Sequence, residues 1–156
     1  HVRNYLTIQS IRYKNKFEYF IECDDNTLNL CSLKLIIQPL VENAIKHGME
    51  FMDGEGEITV KTYIKDNDLF IDVIDNGFGM TQENAEAILS GNVKLNSKGS
   101  GIGLKNVNER IKICFGNNYG LSIFSELDEG ATVRIHMPCI LIEEYLNNGD
   151  NKYEKK

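Results

Sequence analysis

Apolar side chains along this chain recur in two rhythms, one with a helical period and one with a strand period. Residues 1–13, HVRNYLTIQSIRY, set Val2, Leu6, Ile8 or Gln9, and Tyr13 at roughly helical spacing, which predicts the end of a longer helix. Residues 17–23, FEYFIEC, alternate and predict a strand, closed by the turn Asp24-Asp25-Asn26. Over 33–47, Leu33, Ile37, Leu40, Val41 and Ala44 share one helical face. Pro39 interrupts that stretch, so the pattern predicts a kink there or a helix that begins nearer Pro39, with Gly48 as its stop. Two strands follow at 57–65 and 69–75, joined by Asp66-Asn67-Asp68. Thr81 caps a short helix to about Leu89. Residues 90–100, rich in Gly, Ser, Asn and Lys, read as a mobile loop. A second amphipathic helix over 103–115 lines up Leu104, Val107, Ile111 and Phe115. A final hairpin pairs 121–126 with 132–137 across Asp128-Glu129-Gly130.

These elements sum to a mixed sheet of about five strands with three helices on one face, a two-layer α/β (α+β) sandwich. The expected organisation is a helix end at 1–14, one compact domain at 15–142 and a polar tail at 143–156 that frays. A chain of 156 residues, 42% apolar and 26% charged, suits a single core. The net charge of −6 lacks the basic excess that phosphate neutralisation demands, so no nucleic-acid partner is expected. A small anionic ligand remains compatible with it. No apolar run reaches the roughly 18 residues needed to cross a bilayer. Cys23, Cys31, Cys114 and Cys139 form no C-x-x-C pair, and the expectation is buried, reduced thiols in a cytosolic protein rather than a zinc site.

Three segments carry chemistry. The first is Gln38-Pro39-Leu40-Val41-Glu42-Asn43-Ala44-Ile45-Lys46-His47-Gly48. On a helix its apolar face packs on the sheet and leaves a polar row of Glu42, Asn43, Lys46 and His47. A neutral amide oxygen such as that of Asn43 suits Mg²⁺ when phosphates supply the remaining charge, and Lys46 can meet a phosphate as a point charge. Taken alone, the row reads equally as a solvated face with pairs such as Glu42–Lys46. The second segment, Ile71 to Met80, ends a buried-type strand in Asp75 and continues Asn76-Gly77-Phe78-Gly79. A carboxylate beside a core needs a partner, and the amino group of adenine would supply one. Gly77 and Gly79 would let backbone approach a flat ring. The ordinary alternative is a D-N-G turn. The third segment, Gly99-Ser100-Gly101-Ile102-Gly103-Leu104, leads into a helix, where exposed N–H groups and the helix dipole suit phosphate. Its spacing is neither a Rossmann nor a Walker pattern. Lys94, Lys98 and Lys105 flank it and could steer phosphates or simply be solvated. Metal ligand, base reader and phosphate cradle in this order are far more specific than any one of them.

The chain resembles the GHKL superfamily, which shares the Bergerat ATP-binding fold and includes gyrase-type and Hsp90-type ATPases, MutL and bacterial histidine kinases. Glu42 to Gly48 resembles its N box, Asp75 to Met80 its G1 box and Gly99 to Leu104 its G2 box. Within it, Leu40 to Gly48 and Gly103-Leu104-Lys105-Asn106-Val107-Asn108-Glu109-Arg110-Ile111 are similar to sensor histidine kinases of the LytS/YesM type. Tyr5 to Tyr13 resembles that type's link from dimerisation helices to catalytic domain. The resemblance implies ATP and Mg²⁺ as cofactors. It implies Asn43 as metal ligand, Asp75 as acceptor of the adenine amino group, and Gly77, Gly79 and Met80 around the adenine. Lys46, His47, Gly99, Gly101, Ile102, Gly103 and Leu104 would bind the rest of the nucleotide, and Glu42 would orient or deprotonate the nucleophile.

Two features depart from the wider superfamily. The lid over 81–98 is short and has no phenylalanine-bearing box, as in the LytS/YesM type. The three histidines, His1, His47 and His136, lie in no two-helix phosphoacceptor module. The acceptor histidine is therefore expected upstream, in dimerisation helices of the same protein, with a response regulator as the next phosphate acceptor. The resemblance implies the cytoplasmic part of a membrane-anchored homodimer. A GHKL ATPase or an anti-sigma-type serine kinase is the rival reading, and a binding module with a relic site is a third.

Overall fold

The computed structural model describes residues 1–14, 16–49, 55–92 and 102–143, without the side chain of Met49. Helix α1 (Val2–Arg12) leads into strand β1 (Phe17–Cys23) and a 3₁₀ turn, Asp25–Thr27. Helix α2 (Gln38–Asn43) widens into π turns over Ala44–Met49. Then come β2 (Gly56–Lys65), β3 (Asp68–Asp75), α3 (Gln82–Ser90), α4 (Ile102–Phe115), β4 (Gly120–Glu126) and β5 (Gly130–Pro138). The five strands form one sheet in the order β1-β2-β3-β5-β4. The β1–β2 pair is parallel and the other three pairs are antiparallel, so the sheet is mixed as expected. Counting α1, the described helices number four rather than three.

Local chemistry explains most element ends. Asp66 and Asn67 both take left-handed φ, 52° and 66°, which is the two-residue primed turn whose twist matches a hairpin. The Thr81 hydroxyl accepts from the Asn84 N–H at 3.3 Å and caps α3, which ends at Gly91 with φ 75°. Of the two readings of 33–47, a kink at Pro39 or a helix that begins nearer Pro39, the second holds: α2 begins at Gln38. Pro39 lies in its first turn, where the missing N–H costs nothing, and Leu35 at φ 61° breaks helical geometry just upstream.

Period-2 alternation separates the two sheet faces. Ile58, Val60, Leu69, Ile71, Val73, Val133, Ile135 and Met137 face the helices and join Leu6, Leu40, Val41, Ile88, Leu104 and Ile111 in one core. Asn108 is the polar member of α4 that is buried; its Oδ1 accepts from the Leu121 N–H at 2.9 Å and ties α4 to β4. The opposite face presents Asp72 and Arg134 from paired positions on β3 and β5. Arg134 Nε and Nη2 donate to Asp72 Oδ1 and Oδ2, each at 2.8 Å, while the guanidinium lies over Tyr63, Phe70 and Phe124. The four cysteines are free thiols, but none is buried as expected: Cys23 is exposed and the others are half-buried. The loop expected at 90–100 and the tail expected at 143–156 lie almost wholly outside the described residues.

Candidate functional site

Asp75 closes β3 at its buried end. Its strand neighbours are Ile58 on β2 and Ala131 on β5, so hydrogen-bonded backbone flanks it on both sides. Only 7% of the residue is exposed. Its Oδ1 accepts from the Gly77 N–H at 3.0 Å, and the backbone of its strand neighbour Ala131 also favours the ionised form. Burial outweighs both and pushes the carboxyl up to about 6. A buried acid beside neutral backbone, with no cation against it among the described residues, suits an outside N–H donor such as an exocyclic amine.

The first segment reaches this acid through Gly48. A Cβ at Gly48 would stand 2.7 Å from Asp75 Oδ1, and a Cβ at Gly77 would overlap the Gly48 backbone. The two glycines therefore let the end of the π turns and the start of the 76–80 loop meet over the carboxylate. The loop is strapped down from the other side. Asn76 Oδ1 accepts from the Glu57 N–H at 2.7 Å and its Nδ2 donates to the Glu55 carbonyl at 2.9 Å. The Asp128 N–H donates to the Phe78 carbonyl at 2.8 Å. The Met80 N–H donates to Ser125 Oγ at 2.8 Å, and that hydroxyl donates to the Gly130 carbonyl at 2.7 Å. Gly79, at φ 61°, has no room for a Cβ against the Glu126 carbonyl, so it packs on the β4–β5 hairpin.

At its other end the first segment meets α4. A Cβ on Gly103 would lie 3.4 Å from Pro39 Cβ, an ordinary contact that sets the start of α4 beside the start of α2. From Pro39 to Gly48 the helical run covers roughly 13 Å at 1.5 Å per residue. One end touches the α4 N-terminus and the other touches Asp75, with Asn43 half-buried midway. Leu104 is buried in the core, so only its backbone can face a ligand, whereas Ile102 is exposed. Glu42, Lys46 and His47 are exposed on α2 and the π turns. Glu42 Oε1 accepts from Gln38 Nε2 at 2.8 Å. Gly99 and Gly101, with Lys94 and Lys98, lie outside the described residues. The Lys105 ammonium lies beside Gly91 and 3.6 Å from Glu109, at the C-terminal end of α3.

Three contributors lie outside the expected site residues. Gly48, the last residue of the first segment, was expected as a helix stop, yet it is the contact with Asp75. Ala131 pairs with Asp75 between β5 and β3, and Gly130, at φ 86°, fits because a Cβ would overlap the Asp75 carbonyl. A glycine after a turn was the only signal for the last, and nothing marked Ala131. Among the described residues no cluster of three His, Cys, Asp or Glu side chains offers a metal cage. Asn43 with neighbouring oxygens instead fits a hard cation that carries most of its ligands on a phosphate.

Comparison with known proteins agrees with this geometry. The chain is 36% identical over 138 residues to sensor histidine kinase YesM of Bacillus subtilis, an alignment that covers 88% of this chain and 22% of that protein. It is 33% identical to sensor protein LytS of Bacillus cereus, with 92% of this chain and 24% of that protein covered. The chain thus spans under a quarter of the length of these relatives. The nucleotide-free catalytic domain of histidine kinase ThkA superposes with a TM-score of 0.65 at 19% identity, covering 86% of both chains, and so shares the fold. Residues 31–140 match the family described as histidine kinase-, DNA gyrase B-, and HSP90-like ATPase, and the chain belongs to that family.

Proposed function

We propose that this chain is the ATP-binding catalytic domain of a two-component sensor histidine kinase, and that it positions Mg²⁺-ATP for transfer of the γ-phosphate to a histidine elsewhere in the full protein. The observation that carries the reading is the junction of Gly48, Asp75 and Gly77, which joins the Asn43 helix to a buried carboxylate. The printed names of the relatives, sensor histidine kinase and sensor protein, support the same assignment.

In this reading Asp75 accepts a hydrogen bond from the adenine amino group, and Gly77, Gly79 and Met80 shape the space beside the ring. Asn43 offers its amide oxygen to the metal, and backbone N–H groups at Ile102, Gly103 and Leu104 donate to phosphate at the α4 N-terminus. Gly99 and Gly101 continue that run. Lys46 and His47 flank the phosphate end. Mg²⁺, when bound, neutralises developing charge on the phosphate oxygens. Glu42 orients the incoming imidazole or takes its proton, and most of the acceleration comes from positioning. Residues 1–14 are the end of a linker helix from dimerisation helices, 15–142 the catalytic domain and 143–156 a tail. The full protein is a membrane-anchored homodimer whose catalytic part is cytoplasmic, and a response regulator receives the phosphate.

Titration with a fluorescent ATP analogue, with and without Mg²⁺, tests the site. Tight binding that weakens without Mg²⁺ is expected. No binding in either condition would end the reading.

A further inference from the structure

The loop from Asp75 to Met80 holds two glycines, Gly77 and Gly79, so the covalent link alone fixes Met80 poorly relative to the carboxylate. A second path ties the two ends together. Asp75 pairs with Ala131 on β5, and Ala131 pairs with Ser125 on β4. The three stand in one row across three strands and share one face of the sheet. Two strand spacings put Ser125 roughly 10 Å from the acid, with the small Ala131 side chain between them. Ser125 Oγ accepts from the Met80 N–H at 2.8 Å and donates to the Gly130 carbonyl at 2.7 Å. Gly130 in turn packs on the Asp75 carbonyl, where a Cβ would overlap. Hydroxyl, glycine and acid thus form a relay of short contacts from Met80 back to Asp75.

We propose that Ser125 is a positioning residue that sets base specificity, by holding Met80 at a fixed separation from Asp75. The inference rests on the adenine contacts given to Asp75 and Met80 above. A hydroxyl suits this place because it donates and accepts at once; a methyl does neither, and a thiol does both weakly. Without it the N–H of the half-buried Met80 loses its partner, which favours a shifted loop. The Met80 side chain packs against the core, so a shift of its backbone moves one side of the base site. Adenine must meet Asp75 with its amino group and lie beside Met80 at the same time, so its binding depends on their separation. Guanine presents a carbonyl where adenine has that amino group. It gains nothing from Asp75 and is less sensitive to the spacing. Ser125 therefore acts on which base is held, and the phosphate end is left to α4 and Asn43.

The test uses the full-length protein with Ser125→Ala, Ser125→Cys, Ser125→Thr, Asp75→Asn and the Ser125→Ala/Asp75→Asn double variant. The readouts are affinity for fluorescent ATP and GTP analogues, thermal midpoint, and KM and saturated rate of self-labelling. Ser125→Ala and Ser125→Cys are each expected to weaken ATP about tenfold and GTP by no more than about twofold, so the preference for ATP falls roughly fivefold. The loss should appear in KM for ATP rather than in the saturated rate. Ser125→Thr keeps the hydroxyl and should restore both affinity and preference. Ser125→Ala should add little in the Asp75→Asn background, because both act on one contact. A merely structural serine would lower the thermal midpoint, or weaken both nucleotides equally, with the preference unchanged; that result overturns the proposal. A threonine variant as weak as the alanine variant does the same. If Asp75→Asn lowers the preference for ATP while the Ser125 variants keep it, the relay is wrong and the adenine reading stands. If Asp75→Asn keeps the preference, the adenine reading falls and the relay with it.

Discussion

At Asp75, stability and the proposed adenine contact pull in opposite directions. Its folded pKa of about 6 lies above the unfolded 3.8, so the folded state holds the extra proton between those two values. Below that window the group makes no difference to stability. As pH rises through it, stability falls, by roughly 3 kcal/mol in total once the carboxylate is fully ionised. Asp75→Asn is therefore expected to raise the stability of the nucleotide-free chain at pH 7–8 by about 1–3 kcal/mol, an advantage that shrinks toward pH 4. Urea melts of both proteins at several pH values check the sign. The same substitution should weaken ATP by about 1.5–3 kcal/mol, the range for a hydrogen bond to a charged group. Unchanged affinity would refute the adenine role. Gly77 and Gly103, both glycines of conspicuous motifs, should part company on substitution. Gly77→Ala forces a Cβ into the Gly48 backbone and is expected to cost more than about 3 kcal/mol or prevent folding. Gly103→Ala meets, among the described residues, only Pro39 at contact distance and should fold with stability within about 1 kcal/mol of the parent. Thermal melts separate the two.

At the scale of elements, the strands and three of the helices were legible because each carries its own periodicity and caps. For the start of α2 the sequence left two readings open, a kinked helix from residue 33 or one beginning nearer Pro39, and the structure takes the second. The apolar stripe of Leu33 and Ile37 matched a helix, but those side chains reach the core from irregular backbone, and only Leu35 at φ 61° reveals the break. The π widening over Ala44–Met49 has no signature in residue type, yet it sets Gly48 against Asp75. The sheet face away from the helices offers a control. Asp72 is 4% exposed and holds Arg134 bidentately, so Asp72→Ala strands a guanidinium among Tyr63, Phe70 and Phe124. A loss of about 2–3 kcal/mol is expected, below the figure for a fully buried pair because the Arg134 side chain is 33% exposed. ATP affinity should not change, since Asp72 points away from Asp75. Loss of affinity matching the loss of stability would show that the two faces are coupled.

At the scale of the molecule, the chain in isolation is expected to bind ATP but not to label itself from γ-labelled ATP, because none of His1, His47 and His136 occupies a phosphoacceptor helix pair. Autoradiography after incubation decides this, and strong labelling of the chain would overturn the upstream acceptor. Brisk ATP hydrolysis by the chain would favour an ATPase instead. What the sequence determined by itself was local or nearly so. The element types follow from periods of 2 and 3.6, the turns from Asp, Asn and Gly, and the three segments proposed to hold the nucleotide are each contiguous. The tertiary structure alone decided which atoms meet: Gly48 with Gly77 and Asp75, Ala131 across the strands from the same acid, and Ser125 with Met80. Those contacts join residues far apart along the chain. Strand register and the widened helix set their geometry, and both depend on packing the whole core at once.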